Sequence, residues 1–207
     1  MTSIKLVVAT TNIGKGREIA ELLQGVPFEI VTLADWPQVP APVETGHTFA
    51  ENARAKALYY AASTGELTVA EDSGLEIDAL GGAPGIESAR FGGSDATYQQ
   101  KFALIYDALR ARNSMNSPAR FVCAVALAKG DTLLFESRGT IEGRIAPEPK
   151  GAGGFGYDPI FWYPPLGRTL AEVSERKSAV SHRAAAFRKL RAFLQASPGT
   201  EGTGNAR

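Results

Sequence analysis

Leu67-Thr68-Val69 reads as a buried strand that delivers two adjacent carboxylates, Glu71 and Asp72, at its end, with Ser73 and Gly74 behind them. Successive strand side chains point to opposite faces. If the strand continues, one acid faces a cleft while the other is held by neighbours. Ligand chemistry in α/β proteins gathers at the edge where strands end. A carboxylate there, near other acids and several lysines, points to metal-assisted chemistry at phosphate.

The segments around this corner alternate between strand and helix patterns. Ile4 to Thr10 is apolar and rich in β-branched residues, as a central strand is. The polar turn Thr11-Asn12-Ile13-Gly14-Lys15-Gly16 feeds a short helix that carries Ile19, Leu22 and Leu23 and ends near Gly25. Phe28 to Leu33 is a second strand. Pro37, Pro40 and Pro42 keep residues 36–43 irregular. Thr48 with Glu51 forms a capping box for a helix to about Ser63. Leu67–Glu71 and Leu75–Ile77 read as separate strand segments, with a turn at Ser73-Gly74 between them. Gln99 to Arg112 is helical. Arg120–Ala128 and Thr132–Ile145 form a hairpin turning at Lys129-Gly130-Asp131, and Ser181 to Leu194 is a closing helix. The pattern gives an α/β class: a long mixed central sheet with flanking helices, two lobes around an active-site cleft. Residues 1–196 form one two-lobed catalytic domain, and the glycine-rich segment 197–207 is a frayed tail.

Lysine plus arginine equal aspartate plus glutamate at 22 each in 207 residues, so a surface built to wrap nucleic acid polymers is not indicated. A small anion such as a nucleotide needs only a few aimed donors. The sole cysteine, Cys123, lies in an apolar run and reads as a buried structural thiol, in keeping with a reducing, cytoplasmic compartment. No apolar run long enough for a membrane span is present.

Several short constellations can carry chemistry. Thr10-Thr11-Asn12-Ile13-Gly14-Lys15 joins a strand to a helix, so its backbone amides and the helix N-terminus can face an anion, with Lys15 as a mobile charge. It is equally a plain strand–helix turn. Glu44 is either a metal ligand or a surface acid. Asn52 and Lys56 share a helix face, and Lys56 either reaches a phosphate or is solvated. Glu71 and Asp72 are the best acid pair; magnesium is usually held by one or two carboxylates plus phosphate oxygens and waters. Phe155-Gly156-Tyr157-Asp158 follows a glycine-rich stretch, and Phe155 either stacks on a base or plugs the core edge. Lys177, His182 and Arg183 surround the start of the last helix and can donate hydrogen bonds to a planar base.

In order and spacing, these motifs resemble the Ham1/RdgB family of inosine and xanthosine triphosphate pyrophosphatases. The resemblance spans residues 4–194 and also rests on Glu44-Thr45-Gly46, Phe49-Ala50-Glu51-Asn52-Ala53, Glu71-Asp72-Ser73-Gly74-Leu75, Gly81-Gly82-Ala83-Pro84-Gly85, Gly154-Phe155-Gly156-Tyr157-Asp158-Pro159 and Ser181-His182-Arg183. It implies a homodimer that cleaves deaminated purine nucleoside triphosphates to monophosphate and pyrophosphate with Mg2+. It places Thr10 to Lys15 and Lys56 toward the phosphates and Glu44 and Asp72 at the metal, with Glu71 a further candidate ligand and Asn52 among the substrate-binding residues. Asp72 is also the proton acceptor. Ser73 touches substrate, and Phe155, Gly156, Tyr157, Asp158, Lys177, His182 and Arg183 enclose the base.

This chain departs from the family's commonest pattern twice. Thr11 stands where glycine is usual, so either the loop needs no positive φ there or its shape differs. Glu71 stands where the first acid is usually aspartate. The rival readings are a Maf-like nucleotide pyrophosphatase of different base preference and a nucleotide-sensing module without chemistry.

Overall fold

Glu71 and Asp72 do not end a strand. They lie in the middle of β3 (Leu67–Ile77), which runs unbroken through Ser73 and Gly74. The expected turn there is absent because β4 (Pro118–Lys129) pairs with β3 residue by residue from Thr68–Ala128 to Ile77–Ala119. Gly74 stays in that ladder and leaves room beside it. A side chain at this position would collide with Ser88 Oγ and the Gly85 carbonyl. Ser88 Oγ instead accepts the Leu75 amide at 2.9 Å.

The computed structural model describes residues 3–173, 175 and 179–196. Lys177 and the 197–207 segment lie outside them. Within the described residues a seven-stranded mixed sheet has the order β2-β1-β3-β4-β5-β6-β7. Strand β1 (Lys5–Val8) runs parallel to β2 (Glu29–Thr32) and β3, and β4 and β5 (Thr132–Ile145) form the expected hairpin. The short strands β6 (Phe161–Tyr163) and β7 (Arg168–Thr169) extend the sheet. They are too brief to show a period-2 pattern in the sequence.

Helices cover both faces. Helices α1 (Ile13–Leu22) and α4 (His182–Ala196) share one apolar cluster with Val69, Cys123 and Val125. Helix α2 (Phe49–Thr64) covers the other face, where Ala53, Ala57 and Ala61 meet Ala70, Ala124, Ala126 and Ala128. Small side chains on both partners let this helix lie close to the sheet. Its N-cap is Thr48, which accepts the Glu51 amide, while the Glu51 carboxylate takes the His47 amide at 2.8 Å. Helix α3 (Tyr98–Arg110) builds a third cluster with Leu75, Ile77, Phe121 and Phe161 at the far end of the sheet. Cys123 is fully buried, as expected. Among the described residues no helix is long and apolar enough to cross a membrane.

Candidate active site

Strand β1 is shorter than β3, and that mismatch makes the cleft. β1 pairs with β3 only from Leu6–Leu67 to Val8–Val69. The Ala9 amide makes a last bond to the Val69 carbonyl at 2.8 Å, and the chain then turns away into α1. From Ala70 to Gly74 no strand pairs with this edge of β3, before Ser88 Oγ takes the Leu75 amide and Glu76 bridges Pro84. A cavity of ≈ 330 Å3 fills the gap. Thr10, Thr11, Asn12 and Lys15 line it from one side. Glu44 from the segment before α2, Lys56 from α2, and Glu71, Asp72 and Ser73 from the strand line it from the other.

The turn into α1 is held by Asn12. Its Oδ1 caps the helix by accepting the Lys15 amide at 3.0 Å, and its own amide donates to Thr10 Oγ1 at 3.2 Å. Among the described non-glycine residues only Asn113 has a positive φ, so Thr11 fits this loop without strain. Ile13 is 74% exposed and does not line the cavity. Gly14 packs against the Phe155 ring.

The two acids face opposite sides of β3 and have separate partners. Glu71 lies on the α1/α4 side, 2.6 Å from Lys15 Nζ and 3.2 Å from Arg183 Nη2. Cys123 Sγ donates to its Oε2 at 3.3 Å. Burial opposes charge on Glu71, but Arg183 and Lys15 outweigh it and hold the carboxyl well below its usual range. Asp72 lies on the α2 side. Asn52 Nδ2 donates to its Oδ2 at 3.1 Å, and Lys56 Nζ lies 3.4 Å from its Oδ1. Here burial prevails: Lys56 and Asn52 offset it only in part, Glu44 and Glu71 add repulsion, and the carboxyl is raised above its usual range.

Glu44 and Asp72 converge on the same ammonium, with Glu44 Oε1 2.7 Å from Lys56 Nζ. Two hard oxygen donors already grouped around one cation suit magnesium, which draws its other ligands from phosphate and water. Among the described residues no three His, Cys, Asp or Glu side chains are grouped to hold a metal by themselves. A metal here therefore leans on oxygens from its ligand. Glu71, on the opposite side of the strand, is engaged by Lys15 and Arg183 instead.

Phe155, Gly156, Tyr157, Asp158, His182 and Arg183 all line the same cavity. The Arg183 guanidinium lies over the Phe155 ring at 5.7 Å, and its Nη2 also donates to Ser73 Oγ at 2.9 Å. The His182 ring stacks on Phe121 with 4.9 Å between centroids. Asp158 accepts the Phe155 amide at 2.8 Å and fixes the loop that carries that ring. Tyr157 anchors the same loop by donating to the Ser88 carbonyl at 2.8 Å.

Sequence reasoning missed several residues of this neighbourhood. Glu18, one turn beyond Lys15 on α1, accepts from Ser181 Oγ at 2.7 Å and from Arg183 Nη1 at 2.8 Å. Its spacing of three from Lys15 was the available signal. Phe121 and Tyr98 line the cavity but read as ordinary core aromatics. Arg90, which binds Glu44 Oε2 at 3.2 Å, follows an irregular loop and had no periodicity to mark it.

A family model described as the Ham1 family matches residues 6–193. The chain belongs to the Ham1 family. It is 48% identical over 194 residues to the dITP/XTP pyrophosphatase of an Exiguobacterium species, covering 92% of this chain and 97% of that protein. The dITP/XTP pyrophosphatase of Thermus thermophilus is 44% identical over 191 residues, with 92% and 91% covered. The solved structure of a Ham1 protein from Coxiella burnetii superposes with a TM-score of 0.87 at 39% identity, covering 94% of this chain and all of that one. The dITP/XTP pyrophosphatase structure from Mycobacterium abscessus gives 0.74 at 39% identity over 92% and 99%. Their sheet-and-helix architecture is the one described above.

Proposed function

We propose that this protein is an enzyme that hydrolyses deaminated purine nucleoside triphosphates, among them dITP, ITP and XTP, to the nucleoside monophosphate and pyrophosphate. The observation that carries the reading is the continuity of one cleft. The strand–helix loop with Lys15, together with Lys56, stands beside a two-carboxylate corner, and an aromatic ring with a buried arginine forms the other end.

The chemistry assigned to this chain follows from those positions. Lys15 and Lys56 hold the polyphosphate, with the amides at the start of α1 facing it. Asp72 orients a water for in-line attack on the α-phosphorus and accepts its proton. Glu44 and Asp72 hold Mg2+, which supplies neutralisation of phosphate charge when bound. Positioning and electrostatics provide most of the acceleration. Phe155 stacks on the base, and donors from Arg183 and His182 meet its 6-oxo group. Adenine presents an amino donor there, so a donor facing it is left unsatisfied, at a cost of about 1–3 kcal/mol.

Incubation with inosine triphosphate and Mg2+, scored for both products, tests the reading. Pyrophosphate with inosine monophosphate supports it, whereas free phosphate with the diphosphate indicates attack at the terminal phosphorus. Binding without product indicates a sensing module. Equal rates on the inosine, xanthosine, guanosine and adenosine triphosphates contradict the base selectivity. The proposal includes a cytoplasmic homodimer, and native mass measured by light scattering reads the assembly state.

A further inference from the structure

The acidic corner continues past Glu44 to a cation that the reading above does not use. Lys56 Nζ joins Asp72 Oδ1 to Glu44 Oε1, and the other Glu44 oxygen, Oε2, accepts from Arg90 Nη1 at 3.2 Å. Arg90 is gripped from behind by Glu87, whose Oε1 accepts from Nη2 at 3.0 Å and whose Oε2 accepts from Nε at 2.5 Å. Charges therefore alternate as Asp72, Lys56, Glu44, Arg90, Glu87, and the chain reaches Arg90 from Ser88 and Ala89, which line the cavity. Asp72, Glu44 and Glu87 outnumber Lys56 and Arg90 by one negative charge.

One divalent cation held by Glu44 and Asp72 would reverse that sign. The same event would compete with Arg90 for Glu44 Oε2. Arg90 has little to lose by letting go. Its side chain is 41% exposed, where a single ion pair contributes little, and Glu87 still holds the guanidinium beside Glu44. An arginine fork matches phosphate oxygens as well as it matches a carboxylate.

We propose that Arg90 is a phosphate-binding residue for the pyrophosphate part of the ligand, held in reserve by Glu44 until a divalent cation takes that carboxylate. This deepens the triphosphate reading and rests on it. The cation and the polyphosphate then bind synergistically, because each removes a partner that the other would have to displace.

The test is calorimetric titration of the wild type, Arg90→Ala and Arg90→Lys with three probes: Mg2+ alone, inorganic pyrophosphate with and without Mg2+, and inosine monophosphate. In Arg90→Ala, pyrophosphate affinity with Mg2+ should fall about tenfold or more, as expected for a lost charge-assisted phosphate contact. Arg90→Lys should recover part of it. Inosine monophosphate affinity should hold within about twofold, and Mg2+ alone should bind as well or better. Weaker Mg2+ binding in Arg90→Ala overturns the proposal, because Arg90 then serves to orient Glu44. Unchanged pyrophosphate affinity, or equal losses for pyrophosphate and monophosphate, also overturns it. A wild type that binds these ligands but does not cleave inosine triphosphate removes the proposed reaction and leaves the role of Arg90 standing. A wild type that binds none of them removes both.

Discussion

Glu71 and Asp72 are neighbours in sequence, yet each is joined to a different lysine on a different face of β3: Lys15 at 2.6 Å from Glu71 and Lys56 at 3.4 Å from Asp72. The strand thus separates two adjacent charges into two environments. On one side Glu71 is a fully engaged counter-ion for Lys15 and Arg183. On the other, burial raises the Asp72 carboxyl above its usual range, and Lys56 and Asn52 offset that only in part.

Asp72→Asn separates activity from stability. Asparagine keeps one oxygen, which serves only one of the two donors Asn52 and Lys56, and it cannot accept a proton at neutral pH. Loss of a general base predicts a fall in kcat of about 10²–10⁴-fold. Burial raises the Asp72 pKa in the folded protein, so the native state holds that proton more tightly than the unfolded chain. Ionisation of Asp72 near pH 7 therefore costs stability. The melting midpoint of Asp72→Asn should be unchanged or higher. Near-normal turnover in a folded variant would remove Asp72 from the chemistry.

Glu71→Gln should behave in the opposite way. Removing the carboxylate leaves the buried Arg183 facing Glu18 alone, and breaking such a buried pair costs about 3–5 kcal/mol. The Glu71 pKa is lowered by Arg183 and Lys15 despite its burial. Its stabilising contribution is therefore complete above the unfolded value of about 4.3 and is lost as pH falls from there through the lower native value. Urea unfolding at pH 7 and again in acid reads this directly. The gap between the wild type and Glu71→Gln should shrink in acid; a constant gap would show that packing, not charge, is responsible.

The fold was legible wherever one residue pattern decided one element. The hairpin of β4 and β5 and the Thr48 cap of α2 belong to that group. Strand β3 did not, because Ser73 and Gly74 carry turn chemistry that the long pairing with β4 overrides. The acids of the site were visible as residue types. Their separation by face followed from strand alternation, although their partners did not. Arg90 and Ser88 act through contacts that span the chain, which no local spacing encodes, and the spacing of Glu18 from Lys15 marked its helix face but not its partners Ser181 and Arg183.

Gly74→Ala tests the wall of the cleft. An added methyl would collide with Ser88 Oγ and the Gly85 carbonyl, both fixed by the Leu75 amide bond and the turn around them. Overpacking of this kind costs about 1–3 kcal/mol. Because Ser88 also anchors Tyr157, the aromatic loop should shift, and KM for the nucleotide should rise together with the loss of stability. Wild-type melting and KM in the Gly74→Ala protein would show that the segment 85–88 yields freely.

Removing divalent metal should abolish turnover, and adding Mg2+ back should restore it. In the proposed site Glu44 and Asp72 would provide the protein's share of the metal ligands, so Glu44→Gln would leave one charged donor in place of two. The Mg2+ concentration for half-maximal rate should rise on the order of tenfold or more, because magnesium favours carboxylate over amide oxygen. Glu44→Gln also frees Lys56 and Arg90 from one acid, which favours the polyphosphate alone. The measurement is therefore twofold: Mg2+ dependence of the rate, and Mg2+-induced rise of the melting midpoint without nucleotide. If the variant keeps the wild-type Mg2+ dependence in both, Glu44 is not a ligand, and the metal must sit on Asp72 and phosphate oxygens alone.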